Sequence, residues 1–138
     1  MKVLIAEDDR VLARLLEDRL LDQGADTLVV FDALQAVLQG LRFGPDVILL
    51  DVNMPGGTGL EVLKRFKGTS KTRRAPVIAF SSTPHPNLAE ELKMLGATEF
   101  LPKPFTFEQL YSVIEKVTQR KSASAPMGVP ALTTLEGR

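Results

Sequence analysis

The chain has 138 residues, with 17 Lys and Arg against 17 Asp and Glu and no cysteine. That length suits one domain with a real core, the balanced charge gives no global pull toward nucleic acid or an anionic membrane, and the missing thiols exclude disulfides and thiolate metal sites. No apolar run approaches a membrane span, and Met1-Lys2-Val3 enters a strand directly without a signal-peptide layout, so a cytoplasmic location is expected.

In chain order, Val3 to Ala6 is the first of three aliphatic runs without polar alternation; Val47 to Leu50 and Val77 to Phe80 are the others. Such runs mark strands covered on both faces, as in a parallel sheet. Thr27 to Val30 and Thr98 to Leu101 complete five strands. The segments between them have apolar residues at helical spacing: Val11, Leu12, Leu15, Leu16 and Leu20, then Leu34, Val37, Leu38 and Leu41, then Leu60, Leu63 and Phe66. Gly24 and Gly44-Pro45 stop the first two helices. The fourth is expected to start near Pro86 and end before Gly96, and the fifth to start at Thr106, where Thr106-Phe-Glu-Gln109 fits a capping box, and to run through Val117. Five βα units within residues 1–120 predict an α/β, doubly wound parallel sheet in a three-layer sandwich. Residues 121–138, small, Pro-containing and aperiodic, are expected to be a flexible tail.

In such sheets ligands bind beyond the carboxyl ends of the strands. Strand one ends in Glu7-Asp8-Asp9, strand three in Asp51, strand four in Ser81-Ser82-Thr83, and strand five in Pro102-Lys103-Pro104. Glu7, Asp8 and Asp51 should therefore converge. Carboxylates sharing a crevice repel unless protonated or bridged by a cation, and an oxygen-only donor set without Cys or a nearby His suits Mg²⁺. Lys103 adds an ammonium within reach of Asp51 or of an anion attached to it. Metal, lysine, the Ser81 hydroxyl and a carboxylate nucleophile form a set for phosphoryl transfer, with Gly56 and Gly57 keeping the turn after Asp51 open.

These residues resemble the receiver domain of two-component response regulators. The likeness rests on Val3-Leu-Ile-Ala-Glu-Asp-Asp9, Leu49-Leu-Asp-Val-Asn-Met-Pro-Gly56, Pro76-Val-Ile-Ala-Phe-Ser81 and Gly96-Ala-Thr-Glu-Phe-Leu-Pro-Lys-Pro-Phe105, in family order and spanning residues 2 to about 119. The resemblance implies a flavodoxin-like strand order of 2-1-3-4-5. It implies Asp51 as phosphoacceptor, supplied by a histidine kinase or a histidine phosphotransfer protein. It makes Asp8 a direct Mg²⁺ ligand and Glu7 one acting through water, with Asn53 offering its backbone carbonyl. It assigns Ser81 as switch hydroxyl, Phe100 as switch aromatic, and Lys103 as the family lysine, its bond to Pro104 cis. A downstream protein, or a second copy, would then bind the face made by the fourth helix, fifth strand and fifth helix. The chain departs from the family pattern at Ser81, where threonine is more frequent, at Thr58, where an acid is common, and at Pro84 and Pro86, which stiffen the loop before the fourth helix.

Plainer roles stand beside these. Asp51 alone could cap its turn, Asp9 either caps the first helix or touches the metal, and Phe100 could be plain core. His85, between prolines, and the cations of Lys71-Thr-Arg-Arg74 are expected in solvent, with no nucleic-acid contact; Tyr111 is either core or a partner contact. Three other functions compete. An aspartate-nucleophile phosphohydrolase would carry an acid two positions after its nucleophile, where this chain has Asn53. A flavin domain would need a phosphate cradle where Glu7-Asp8-Asp9 would repel phosphate. A receiver that docks without phosphorylation would not need the acidic, hydroxyl and lysine set.

Overall fold

The structure, a computed structural model, describes residues 1–123. Elements alternate strictly: β1 (Lys2–Ala6), α1 (Arg10–Asp22), β2 (Asp26–Val30), α2 (Ala33–Phe43), β3 (Val47–Asp51), α3 (Gly59–Lys67), β4 (Val77–Ser81), α4 (Leu88–Met94), β5 (Glu99–Pro102) and α5 (Phe107–Ala123). The strands pair in parallel in the order β2-β1-β3-β4-β5, the expected doubly wound sheet. Each parallel step needs a crossover, and the helices supply it.

Because helices cover both faces, the central strands are apolar throughout, and successive side chains feed two cores. Leu4, Ile48, Leu50, Val77 and Ala79 join α2, α3 and α4 on one face, while Val3, Ile5, Leu49, Ile78 and Phe80 join α1 and α5 on the other. Chain reversals follow local chemistry. Asp9 Oδ1 accepts from the Val11 and Leu12 amides, Asp32 Oδ1 from Gln35 N, and Thr58 Oγ1 from Glu61 N, each capping a helix start. Gly44 closes α2 in the left-handed region. Thr106 and Gln109 exchange the two bonds of the expected capping box.

Three expectations shift. α4 begins at Leu88 rather than Pro86, because Pro86 and Asn87 form a turn in which Leu88 N donates to His85 O, and Asn87 gives no side-chain cap. α5 continues to Ala123, past the expected boundary at 120; the remainder of the expected tail, 124–138, lies outside the described residues. On α2 the apolar residues divide: Ala33, Ala36 and Gly40 are buried and Val37 packs partly buried against the core, whereas Leu34 and Leu38 are 65% and 56% exposed. The helix sits too close for more, since a Cβ on Gly40 would lie 2.9 Å from Leu4 Cδ2 and from Phe66 Cε1. Val11 and Leu15 on α1 are likewise exposed.

The turn between β3 and α3 is fixed by a similar closeness. Gly59 N donates to Val52 O, and a Cβ on Gly59 would stand 2.3 Å from Val52 Cα, backbone that cannot yield. Gly59→Ala should cost about 1–3 kcal/mol, read as a lowered unfolding midpoint in thermal denaturation; an unchanged midpoint would show that the turn relaxes freely.

Candidate functional site

The carboxyl ends of β1, β3, β4 and β5 bring polar side chains to one edge of an otherwise apolar sheet. Glu7, just past β1, is fully buried, and its amide continues the β1–β2 ladder by donating to Val30 O. Asp51 closes β3 and is 2% exposed, while Ser81 closes β4 and is fully buried. Lys103 follows β5, held by its own amide donating to Ser81 O, and the Lys103–Pro104 bond is cis, as the resemblance implied.

Oxygens of Glu7, Asp8 and Asp51 all lie within 4.8 Å of one another. The Lys103 ammonium stands 2.8 Å from Glu7 Oε1 and 3.4 Å from Asp51 Oδ2, where it also forms a hydrogen bond. Its approach to Glu7 Oε1 is off the hydrogen-bonding line, so that buried oxygen lacks a directed donor. Glu7 Oε2 accepts from Asp9 N, and Asp51 Oδ1 from Asn53 N.

One ammonium among three carboxylates leaves the cluster short of positive charge, and proton affinities reflect it. Burial, reinforced by Asp51 and opposed by Lys103, pushes Glu7 up to about 7. Burial and then Asp51 raise the Asp8 carboxyl above its ordinary value. Burial pulls Lys103 down, but its close ion pair with Glu7 and the charge of Asp51 outweigh that and hold it above the usual lysine value. A buried carboxylate oxygen without a donor and three converging hard oxygens fit a small divalent cation such as Mg²⁺.

The sequence-derived set of Glu7, Asp8, Asp51, Ser81 and Lys103 therefore comes together. Asp9 resolves to the cap of α1. Asn53 does something the sequence did not reveal: its side-chain Oδ1 accepts from Ser81 Oγ at 3.0 Å, while Ser81 Oγ accepts from Thr83 N at 3.1 Å. No local pattern signals a bond across 28 positions; only the neighbouring of β3 and β4 makes it. Phe100 lies on β5, partly buried against the core shared with α4. Gly56 and Gly57, at φ of +84° and +139°, let the turn after Asp51 fold back on α2, where Ala33 N donates to Pro55 O.

Outside the site, His85 is half exposed, 3.8 Å from Glu91, and Lys71, Arg73 and Arg74 face solvent, while Thr72 between them is buried with its hydroxyl donating to Phe66 O. Tyr111 packs on the α1–α5 core and stacks on Phe107. No helix among the described residues is long and apolar enough to cross a membrane.

The sequence model of the response regulator receiver domain matches residues 3–115. The chain belongs to the response regulator receiver domain family. The transcriptional regulatory protein TctD of Salmonella typhimurium is 36% identical over 126 residues, covering 88% of this chain but 54% of TctD, so the receiver chain spans about half the length of that relative. The structure of the chemotaxis response regulator CheY4 of Vibrio cholerae aligns with a TM-score of 0.79 and 31% identity over 84% of this receiver and 97% of CheY4. The receiver domain of a sensor histidine kinase from Pseudomonas aeruginosa, solved with magnesium coordinated in its active-site cleft, aligns with a TM-score of 0.78 and 26% identity over 86% of this chain and 97% of its own. Receiver domains of response regulators work in two-component phosphorelays, with histidine kinases or phosphotransfer proteins, and the acidic cluster of this receiver is arranged as a phosphorylation site.

Proposed function

We propose that Asp51 is the phosphoacceptor of this receiver, and that Glu7, Asp8, the Asp51 carboxylate and the backbone carbonyl of Asn53 hold Mg²⁺. The observation that carries this reading is the convergence of three carboxylates and one ammonium on a crevice where Asp51 is almost wholly buried at its strand end. When bound, Mg²⁺ supplies charge neutralisation for the oxygens of the phosphoryl group. An Asp51 oxygen forms the new O–P bond as the donor's P–N bond breaks and the imidazole leaves with that electron pair. Lys103, already bonded to Asp51 Oδ2, is positioned to pair with a phosphoryl oxygen, exchanging one anion for another. Ser81 Oγ now donates to Asn53 Oδ1; to donate to the phosphoryl group it must release that bond, which makes Ser81 and Asn53 a local two-state element.

That exchange supports a switch passing from Ser81 through β4 to Phe100, which lies on the adjoining strand. The same reading places the output on α4, β5 and α5, for a downstream protein or a second copy of the chain; α4 has seven residues and no side-chain cap, properties suited to movement. The receiver is then a cytoplasmic phosphoacceptor that assists its own phosphorylation and dephosphorylation rather than a turnover enzyme. The phosphohydrolase alternative finds no support at Asn53, whose amide is neither acid nor base and is engaged by Ser81.

Incubation with acetyl phosphate and Mg²⁺ should add one phosphoryl group to the intact mass, and chelation of the metal should prevent it. An unchanged mass in the folded, Mg²⁺-supplied protein would sink the reading. A finer prediction concerns decay: Asn53 and Thr83 flank the hydroxyl that faces the acyl phosphate, so Asn53→Ala and Thr83→Ala should alter its lifetime more than they alter Mg²⁺ affinity. Equal lifetimes in a decay time course would remove that role.

A further inference from the structure

From Lys64 to Arg74 the chain carries six Lys and Arg and no acid, and no acid follows until Glu90, in a protein whose net charge is zero. In a mobile loop such a run is an ordinary solvated face, because the cations move apart. The turn between α3 and β4 denies them that freedom. Thr72 is fully buried, and its hydroxyl donates to Phe66 O at 2.6 Å. The amides of Thr72 and Arg73 both donate to Thr69 O, Thr69 Oγ1 donates to Arg65 O, and Lys67 Nζ donates to the carbonyls of Arg73 and Ala75.

Two of the six cations already have partners: Lys67 holds the turn, and Lys64 stands 3.7 Å from Glu61. Lys71, Arg73 and Arg74, on the turn itself, are exposed and form no ion pair among the described residues. The stem of Lys67 packs on Gly96, where a Cβ would lie 2.7 Å from Lys67 Cγ, so the turn abuts the end of α4. There Lys93 is exposed, and Met94 is 88% exposed, more than any other large apolar residue among the described ones. The acids of α4, Glu90 and Glu91, lie on its first turn, Glu91 beside His85. A rigid turn thus holds three cations without internal counter-charge, next to an uncovered apolar side chain.

Three classes of anionic partner would answer that charge, and two fit poorly. Recruitment to an anionic leaflet takes clusters of roughly four to eight cations, whereas three lie on this turn and Lys93 shares α4 with Glu90 and Glu91. Single-stranded nucleic acid would want an aromatic platform, and the aromatic of this segment, Phe66, is buried. Carboxylates match the forks of two successive arginines, and a thioether adapts to whatever aliphatic side chain meets it. We propose that the α3–β4 turn and the end of α4 form a docking surface for an acidic segment of a partner protein, its carboxylates pairing with Lys71, Arg73 and Arg74 and an aliphatic residue covering Met94. Cations already fixed by the turn lose little freedom on pairing. The surface lies at the amino-terminal edge of the sheet, opposite the edge that holds Asp51.

The test uses the full chain, ¹⁵N-labelled, at low ionic strength, with a synthetic peptide of alternating glutamate and leucine and a second in which lysine replaces each glutamate. A short DNA duplex and vesicles containing phosphatidylserine are titrated in parallel. The glutamate peptide should shift the amides of residues 69–75 and 93–96 saturably, and the lysine peptide should not. Arg73→Glu with Arg74→Glu should weaken the glutamate peptide at least about tenfold, since attraction becomes repulsion at two positions, and should admit the lysine peptide. Met94→Ser should weaken binding without changing the preference between peptides. These side chains are exposed and Thr72 is left in place, so thermal unfolding and phosphoryl uptake from acetyl phosphate should match wild type. No shifts at millimolar glutamate peptide, equal binding of the two peptides, shifts confined to other elements, undiminished binding in the double variant, or tighter binding of the duplex or the vesicles than of the peptide would each overturn the proposal.

Discussion

Asp51→Asn should abolish phosphoryl uptake from acetyl phosphate while leaving the fold intact. The amide keeps the shape of the carboxylate, and its Oδ1 can still accept the Asn53 amide that Asp51 accepts now. What it loses is the nucleophilic oxygen and one negative charge. Asp51 raises the proton affinity of both Glu7 and Asp8, so removing its charge relieves repulsion in the cluster, and the variant should unfold at the same temperature as wild type or higher. Intact mass and a thermal melt on the same preparation test both halves. Undiminished uptake would place the acceptor elsewhere, and a large fall in melting temperature would mean that Asp51 is chiefly structural.

The second large effect is on stability against pH without metal. Glu7 moves from 4.5 to about 7 on folding, mainly because it is buried. Between those values the native state holds a proton that the unfolded chain has released, so stability must fall as pH rises through that window. The shift corresponds to on the order of 3 kcal/mol, fully present below pH 4.5 and lost above pH 7. In chelator, the urea midpoint should decline from pH 5 to pH 8, and Glu7→Gln should flatten the decline and be the more stable protein at pH 8. Mg²⁺ requires the ionised cluster, so its affinity should strengthen as pH rises through about 7, restoring what the metal-free protein loses. A midpoint independent of pH in wild type would contradict the burial of Glu7 as a strained carboxyl.

Much of this could be read from the chain because each component follows a strand. Glu7, Asp51, Ser81 and Lys103 sit at the ends of aliphatic runs, and a parallel sheet aligns such ends at one edge. Helix stops were legible where glycine alone meets the backbone demand, as at Gly44. Other features depend on spatial neighbours that no local pattern encodes. The Ser81–Asn53 bond requires β3 beside β4, and the orphaned oxygen of Glu7 requires the angle at which Lys103 arrives. Helical spacing identified α2 and its core contact through Val37, but periodicity cannot sense that Leu4 and Phe66 leave room only for Gly40, while Leu34 and Leu38 stand in solvent.

The most direct test is chemical location of the phosphoryl group, since three carboxylates share the crevice and only one is assigned the role of acceptor. Borohydride reduces an aspartyl phosphate to homoserine, which peptide mass mapping reads at a single position. After treatment with acetyl phosphate and Mg²⁺, homoserine is expected at position 51 and nowhere else. Its appearance at position 8 or 9, or its absence from a protein whose intact mass shows a phosphoryl group, would contradict the assignment of Asp51.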